Sequence, residues 1–379
     1  MKNIRQLKSK ELENKTVFLR VDWNCPLDNG KISDNNRIKA TLPTIKYLLD
    51  NEAKIVIGTH LGRPEGKVVK SLSTKILALE LSKLIKNKII VSDFVTEPEV
   101  KDQIEEMKSG QILVLGNLRW HKEEEANNKS FAKILAGYTN IFVNDGFAVA
   151  HRDDASIVAI CEFLPSYAGL LLEREVESLR VLFDSPRHPF VLVLGGAKVK
   201  DKIGIIKKFV DDADKILIGG AMATTFRFFD GVDVSESLCE KNLGDVVAEI
   251  KKLSGKKLIL PTDEIKKDLS GGKFSILDIG PKTIESYKKT IAGAKTIFWN
   301  GNMGKSEEAD FATGTSEVAC AIAKNPYVNI AAGGDTAGFI NTNKLASGFT
   351  FISTGGGAAL EFLAGVHLPG LVALGYYQI

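Results

Sequence analysis

The chain has 379 residues, 44% of them hydrophobic and 26% charged, with a formal net charge of +3. That length exceeds one compact core and suits two domains, and the composition is that of a globular protein. The charge is too mild to argue for nucleic acid or a membrane surface. No run of about 18 apolar residues offers a membrane span, and the charged start MKNIRQLKSKELENK lacks a secretion-signal core, so a cytoplasmic location is expected.

The first half alternates strand and helix. Thr16–Val21, Lys54–Gly58, Ile89–Val91, Ile112–Leu115 and Asn140–Val143 are short apolar runs bounded by polar residues or glycine, as buried strands are. Between them, Asn36–Leu49, Ser73–Ile85 and Lys129–Ala136 carry apolar residues at helical spacing. Such alternation predicts a parallel sheet covered on both faces, with ligands at the carboxyl ends of the strands.

The residues beyond those strand ends share a chemistry. Arg20, Asp22 and Asn24 follow the first strand, then Asp34 and Arg37. GTHLGRP supplies His60 and Arg63 after the second. Asn117, Arg119 and His121 follow Leu115, and Asp145, His151 and Arg152 follow Val143. Lysine heavily outnumbers arginine in this chain, yet arginine is used beside these turns. The planar guanidinium fork suits phosphate and carboxylate, so the rim reads as a basin for a small, highly anionic ligand. Taken singly, each of these residues reads more readily as structural than as functional, and it is their repeated placement after strands that favours function.

Tyr167–Phe183 has apolar residues at helical spacing and reads as a helix joining two domains, stopped by Asp184-Ser-Pro-Arg-His-Pro. The second half then opens with VLVLGGAKVKDKIGII. This predicts a strand at Val191–Leu194, a turn at Gly195-Gly196, and a helix opening near Lys198. Lys198 and Lys202 would then share one helical face, and a phosphate chain between them would relieve their repulsion. The bland alternative is a solvated lysine face.

Further strands are read at Lys215–Ile218, Lys257–Leu260, Phe274–Leu277, Lys295–Trp299, Val328–Ala331 and Thr350–Ile352. Most exit into glycine: Gly219-Gly220, Gly280, Gly301, Gly333-Gly334 and Gly355-Gly356-Gly357. Glycine admits close approach of backbone to a ligand, and helix N-termini favour phosphate, so this rim suits a polyphosphate-bearing nucleotide. Neither GxxxxGK[ST] nor GxGxxG occurs, which argues against P-loop NTPases and dinucleotide oxidoreductases. Cys25, Cys161, Cys239 and Cys320 are scattered without a CxxC pair, which fits a reducing compartment.

These segments together resemble the phosphoglycerate kinase family. The resemblance is carried by RVDWNCPL, DNNRIKATLPTI, GTHLGRP, GNLRWHKEEE, NDGFAVAHRDDAS, LGGAKVKDKI, GGAMATTF, LPTD, LDIGPKT, WNGNMG, GGDTAG and STGGGAALEFLAG, in the family's order from about Val17 to Leu374. It implies two doubly wound α/β domains joined by a helix: residues 1–166, the linker 167–183, residues 184–360, and a tail, 361–379, returning to the first domain. It also implies a monomer that transfers a phosphoryl group in line, with hinge closure, between 1,3-bisphosphoglycerate with MgADP and 3-phosphoglycerate with MgATP. By motif position, Asp22, Asn24, Arg37, His60, Arg63, Arg119 and Arg152 would hold the phosphoglycerate. Gly196, Lys198, Lys202, Gly219, Gly220, Leu277, Asn300, Glu307, Gly334, Asp335, Thr336, Gly355, Gly356 and Gly357 would serve the nucleotide. Asp335 would reach magnesium, and Arg37, Lys198, Lys202 and Gly356 would act on the moving phosphoryl group.

The residue types agree with that chemistry. A carboxylate leaving group and an anionic ADP need no proton removed at neutral pH, so no general base is demanded. What is needed is in-line positioning and cancellation of charge. Asp335 could instead cap a helix, and Glu307 is adjacent to Glu308. Three residues depart from the family pattern where adenine and ribose are expected: Asn302 for proline, Ala221 for a third glycine, and Ile276 for glycine. Gly116, Gly146 and Ala148 depart near the substrate rim. The competing readings are a non-catalytic binder of an anionic metabolite and a two-domain oxidoreductase, the latter disfavoured by the missing fingerprint.

Overall fold

The structure is a computed structural model that describes residues 1–377. The chain divides into two compact units: Met1–Val176 together with the segment from His367, and Glu177–Val366. Each contains a six-stranded sheet, and every pairing within these two sheets is parallel. No helix among the described residues is long and apolar enough to cross a membrane.

In the first unit the strands are β1 (Thr16–Arg20), β2 (Lys54–Gly58), β3 (Ile89–Val91), β4 (Ile112–Val114), β5 (Ile141–Asn144) and β6 (Ser166–Ala168). Their order is β3-β4-β2-β1-β5-β6. The side-chain period of two sends alternate residues to opposite faces, and both faces are apolar. Val17, Leu19, Ile55, Ile57 and Val143 pack with Ile38, Ile45 and Leu77. Phe18, Val56, Leu113 and Phe142 pack with Val100, Phe131 and Leu135. β1 lies between β2 and β5, where the winding reverses, so the loops after these three strands open onto one crevice. The C-terminal segment is tied into this unit: Gly370 donates its N–H to the Ala150 carbonyl at 2.9 Å, and the amino terminus donates to Gly375 at 2.9 Å.

The second unit contains β7 (Phe190–Leu194), β8 (Lys215–Ile218), β9 (Leu258–Ile259), β10 (Glu264–Asp268), β11 (Phe274–Ile279), β12 (Thr296–Asn300), β13 (Val328–Ala331) and β14 (Phe351–Ile352). The sheet order is β9-β8-β7-β12-β13-β14. Counted within the sheet this is 3-2-1-4-5-6, the order of dinucleotide-binding sheets, and its switch point lies between β7 and β12.

Three sequence expectations are corrected. Phe274–Leu277 does not join the parallel sheet. It belongs to β11, which pairs antiparallel with β10 in a separate hairpin turned at Ser270–Gly272. The helix read from Tyr167 begins at Leu170 and runs to Asp184, because Ser166–Ala168 pairs with β5. The helix read from Lys198 begins only at Ile203 and ends at Phe209. Residues 198–202 form a turn, since the Val199 N–H is drawn to the Glu240 carboxylate at 2.6 Å. Lys198 and Lys202 therefore do not share a helical face.

Candidate functional site

The first unit gathers its cations around one buried histidine. His60 follows β2 and is 2% exposed. Burial first, then the fields of Arg20, Arg119, Arg152 and Arg37, hold its imidazole well below its usual range. Arg20 closes β1, Arg119 and Arg152 lie in the segments that follow β4 and β5, and Arg37 is on helix Asn36–Asp50, so the structure converges what the sequence scatters. His60 Nδ1 lies 3.8 Å from Asp22 Oδ1 and is buried without a hydrogen-bond partner. At that depth, amid four guanidinium groups, the ring is neutral, and the contact with Asp22 is a polar contact between a neutral ring and a carboxylate.

Asp22 organises the rim. Its carboxylate accepts from Arg37 Nη1 and, at 3.1 Å, from the Asn24 N–H. The Asn24 amide oxygen in turn accepts from the Gly62 N–H at 2.8 Å, joining the loops after β1 and β2. Arg119 is buried, with Nη2 3.5 Å from Asp154 and Nε 3.4 Å from Glu125. Arg63 is exposed and Arg152 half-buried.

Sequence reasoning gave Arg20 no role of its own. Its side chain is fully buried. It donates to Ser156 Oγ at 2.7 Å and to the Val21 carbonyl, with Glu124 at 3.7 Å and Asp154 at 3.9 Å. Glu124 accepts from Ser156 at 2.5 and 3.0 Å. This network shares Asp154 with Arg119. Its only sequence signal is an arginine closing an apolar strand. Asp145, read only as one of the rim residues, proves to be structural. It accepts from the Leu171 and Leu172 N–H groups at 2.9 and 3.2 Å, capping the helix that follows β6, and burial pushes its carboxyl up to about 6.

In the second unit, three glycine turns are knitted together by main chain. Gly195 and Gly196 donate to the carbonyls of Asn300 and Asn302 at 2.9 and 2.8 Å. Gly220 donates to Met303 at 2.8 Å, and Met222 to Gly196 at 3.0 Å. A Cβ on Gly220 would lie 2.7 Å from the Gly196 nitrogen, and Gly220 has φ +61°. Gly301, at φ +93°, would overlap the Gly195 carbonyl. Close approach of backbone to backbone thus requires glycine here. Asn300 and Thr336 brace the next loop: Asn300 Nδ2 donates to Ala332 at 2.7 Å, and the Thr336 hydroxyl accepts from the Gly301 N–H at 2.7 Å.

These turns border a cavity of about 490 Å³ with a largely apolar wall that includes Ala221, Ala223, Ile276 and Leu277. Gly196, Gly220, Glu307 and Asp335 also line it. The three departures expected near adenine and ribose, Ala221, Ile276 and Asn302, fall on its wall. Lys202 is buried near Gly196, and burial lowers its ammonium pKa against the opposing fields of Asp201, Asp335 and Glu240. Lys198 is exposed in the turn. Asp335 is not a cap: Gly333 takes that position in helix Gly334–Thr342, and Asp335 stands in the first turn, exposed. Glu308 pairs with Lys305 at 2.6 Å and Lys267 at 3.4 Å, whereas Glu307 lines the cavity. Gly356, at φ +52°, caps helix Gly357–Leu363, and a Cβ on Gly356 or Gly357 would meet open space. No cluster of three metal-ligating side chains occurs among the described residues.

Comparison with known proteins agrees with this geometry. The family model described as Phosphoglycerate kinase matches residues 7–366. The phosphoglycerate kinase of Dictyoglomus turgidum is 43% identical, the match covering 98% of each chain. That of Moorella thermoacetica is 42% identical, covering 97% of this chain and 98% of the relative. Solved structures of the phosphoglycerate kinases of Coxiella burnetii and Pyrococcus horikoshii OT3 superpose with TM-scores of 0.85 and 0.86. Each is 35% identical, over 99% of this chain and 98% of the other. A cationic rim on one parallel sheet, a glycine cradle on another and a match along nearly the whole length lead to one conclusion: the chain belongs to the phosphoglycerate kinase family.

Proposed function

We propose that the chain catalyses reversible phosphoryl transfer between 1,3-bisphosphoglycerate with MgADP and 3-phosphoglycerate with MgATP. The observation that carries this reading is the occurrence, in one chain, of an arginine–histidine basin and a glycine cradle at a nucleotide-type switch point. Asp22, Asn24, Arg37, His60, Arg63, Arg119 and Arg152 hold the three-carbon acid. Neutral His60 contributes a hydrogen bond rather than charge, while the arginines grip carboxylate and phosphate in their forks. Gly196, Gly219, Gly220 and Leu277 border the nucleotide, with Glu307 toward the sugar. Asn300, Thr336, Gly334 and Gly355–Gly357 shape the phosphate end.

Transfer needs charge cancelled on the moving group more than it needs a base. Arg37, Lys198, Lys202 and the N–H groups at Gly356 supply it, Lys202 most strongly because its ammonium is already desolvated. Asp335 fits a magnesium site. Its carboxylate is exposed at the cavity wall, and carboxylate oxygen is a preferred ligand of this hard cation. Such an ion would supply positive charge to offset that of the phosphates. We further read the protein as a cytoplasmic monomer, checked by light scattering on the purified chain. In-line transfer requires both ligands to meet, so small-angle scattering should show contraction when both are present.

The deciding experiment is a coupled assay with 3-phosphoglycerate and MgATP. Formation of the acyl phosphate supports the reading. Binding of both ligands without product would leave a non-catalytic binder and refute it.

A further inference from the structure

We propose that Glu240 is a positioning residue that sets Lys202 against the glycine cradle by holding one main-chain N–H; this rests on the phosphotransfer reading given above. Lys202 is buried, and its Nζ stands 3.8 Å from where a Cβ on Gly196 would lie, so the ammonium sits at the first turn of the cradle. Lys202 immediately precedes helix Ile203–Phe209, and the turn before it fixes where it stands.

Val199 is the pivot of that turn. Its side chain is buried, its carbonyl accepts from the Lys202 N–H at 3.0 Å, and its own N–H is taken by the Glu240 carboxylate at 2.6 Å. The Lys202 carbonyl in turn accepts from the Ile206 N–H at 3.0 Å, which starts the helix. Ala197, Lys198, Lys200 and Asp201 are exposed, so the turn is tied to the fold through Val199 and Lys202. A main-chain N–H held by a carboxylate is a charge-assisted bond and the stronger kind of tether.

Glu240 is itself anchored to the cradle. Its N–H donates to the Thr225 hydroxyl at 3.0 Å, and that buried hydroxyl donates to the Ala221 carbonyl at 2.9 Å, one residue beyond Gly220. The Glu240 charge is also felt at Lys202, beside those of Asp201 and Asp335, and Glu240 is the one of these three carboxylates that is not exposed. A line of contacts therefore runs from the cavity wall through Glu240 and Val199 to the backbone of Lys202. Small displacements of a group that must meet a transferring phosphoryl are costly in rate, so loosening this line should show in turnover.

The test compares Glu240→Met, which keeps the stem and removes the acceptor, with Glu240→Gln, which keeps an acceptor oxygen, in the coupled assay. Glu240→Met should lower kcat about tenfold while the KM for 3-phosphoglycerate stays within about twofold, and Glu240→Gln should recover most of kcat. In a Lys202→Met background, Glu240→Met should cost less than about twofold more, because both changes act through one ammonium. A measurement on the unsubstituted protein needs no variant to fold: by hydrogen exchange, the Val199 amide should be at least about tenfold slower than those of Lys198 and Lys200. An unchanged kcat, an equal loss with and without Lys202, a glutamine variant no better than the methionine one, or an unprotected Val199 amide would each overturn the assignment. Absence of acyl phosphate from the unsubstituted protein would instead remove the phosphotransfer reading, and the proposal with it.

Discussion

Replacing Arg20 with methionine removes one charge from a fully buried network and leaves Glu124 there alone. Asp154 keeps Arg119 at 3.5 Å, but the described ion pairs of Glu124 are with Arg20 only. Methionine fills much of the arginine stem, so the packing loss is small and the electrostatic loss dominates. Burial already raises the Glu124 carboxyl above its ordinary 4.5, against the lowering field of Arg20. Without that field, Glu124 takes up a proton in the folded state. Neutralising a carboxyl of ordinary pKa at pH 7 costs about 3 kcal/mol, falling by about 1.4 kcal/mol per pH unit. The sign follows from linkage: the folded variant binds the extra proton, so its deficit is largest at high pH and fades as pH falls toward the ordinary value. Urea unfolding at pH 7 and pH 5 measures it. Arg20→Met should lose at most about 3 kcal/mol at pH 7, less the part that burial already costs the raised carboxyl of the unsubstituted protein, and well under half that ceiling at pH 5. Adding Glu124→Gln should restore most of the loss. A deficit independent of pH, or a double variant no more stable than the single one, would refute the reasoning.

Three more outcomes are expected. Lys202→Met should lower kcat by about 10²–10³ in the coupled assay, yet leave thermal stability level or higher, because a desolvated ammonium is removed; a large drop in stability would count against it. Gly301→Ala places a Cβ against the Gly195 carbonyl at φ +93°, so nucleotide affinity in calorimetry should collapse while the 3-phosphoglycerate affinity holds. The His60 imidazole, held low by burial and neighbouring arginines, should show no NMR titration between pH 8 and pH 6. Its folded pKa is depressed, so it favours the unfolded state only as pH drops below about 6.5, and a titration midpoint near neutrality would contradict the basin described here.

The parallel sheets were legible because their strands are short apolar runs with glycine or polar ends, a pattern that buried strands can hardly avoid. What escaped were features fixed by distant partners. Val199 and Ile203 have helical spacing, but the Glu240 carboxylate captures the Val199 N–H from 41 positions away and delays the helix. β10 was missed because Glu264–Asp268 is charged and largely exposed, so only its antiparallel pairing with β11 reveals it. The basin residues were legible as a set of cations after strands. Their support was not, since Arg20 and Ser156 are 136 positions apart. Glu307 and Glu308 were equivalent in sequence and became distinct only when Lys305 and Lys267 took one of them.

On the nucleotide site proposed above, the mutual main-chain bonding of the turns after β7, β8 and β12 would couple ligand capture to the completion of folding. Gly195, Gly220 and Met303 belong to stretches far apart along the chain, and each turn takes its shape from the others. A partly folded intermediate lacking any one of these strands would present no anion pocket at all. Nucleotide capture during refolding should therefore begin late and abruptly, making the ligand a reporter of the finished sheet.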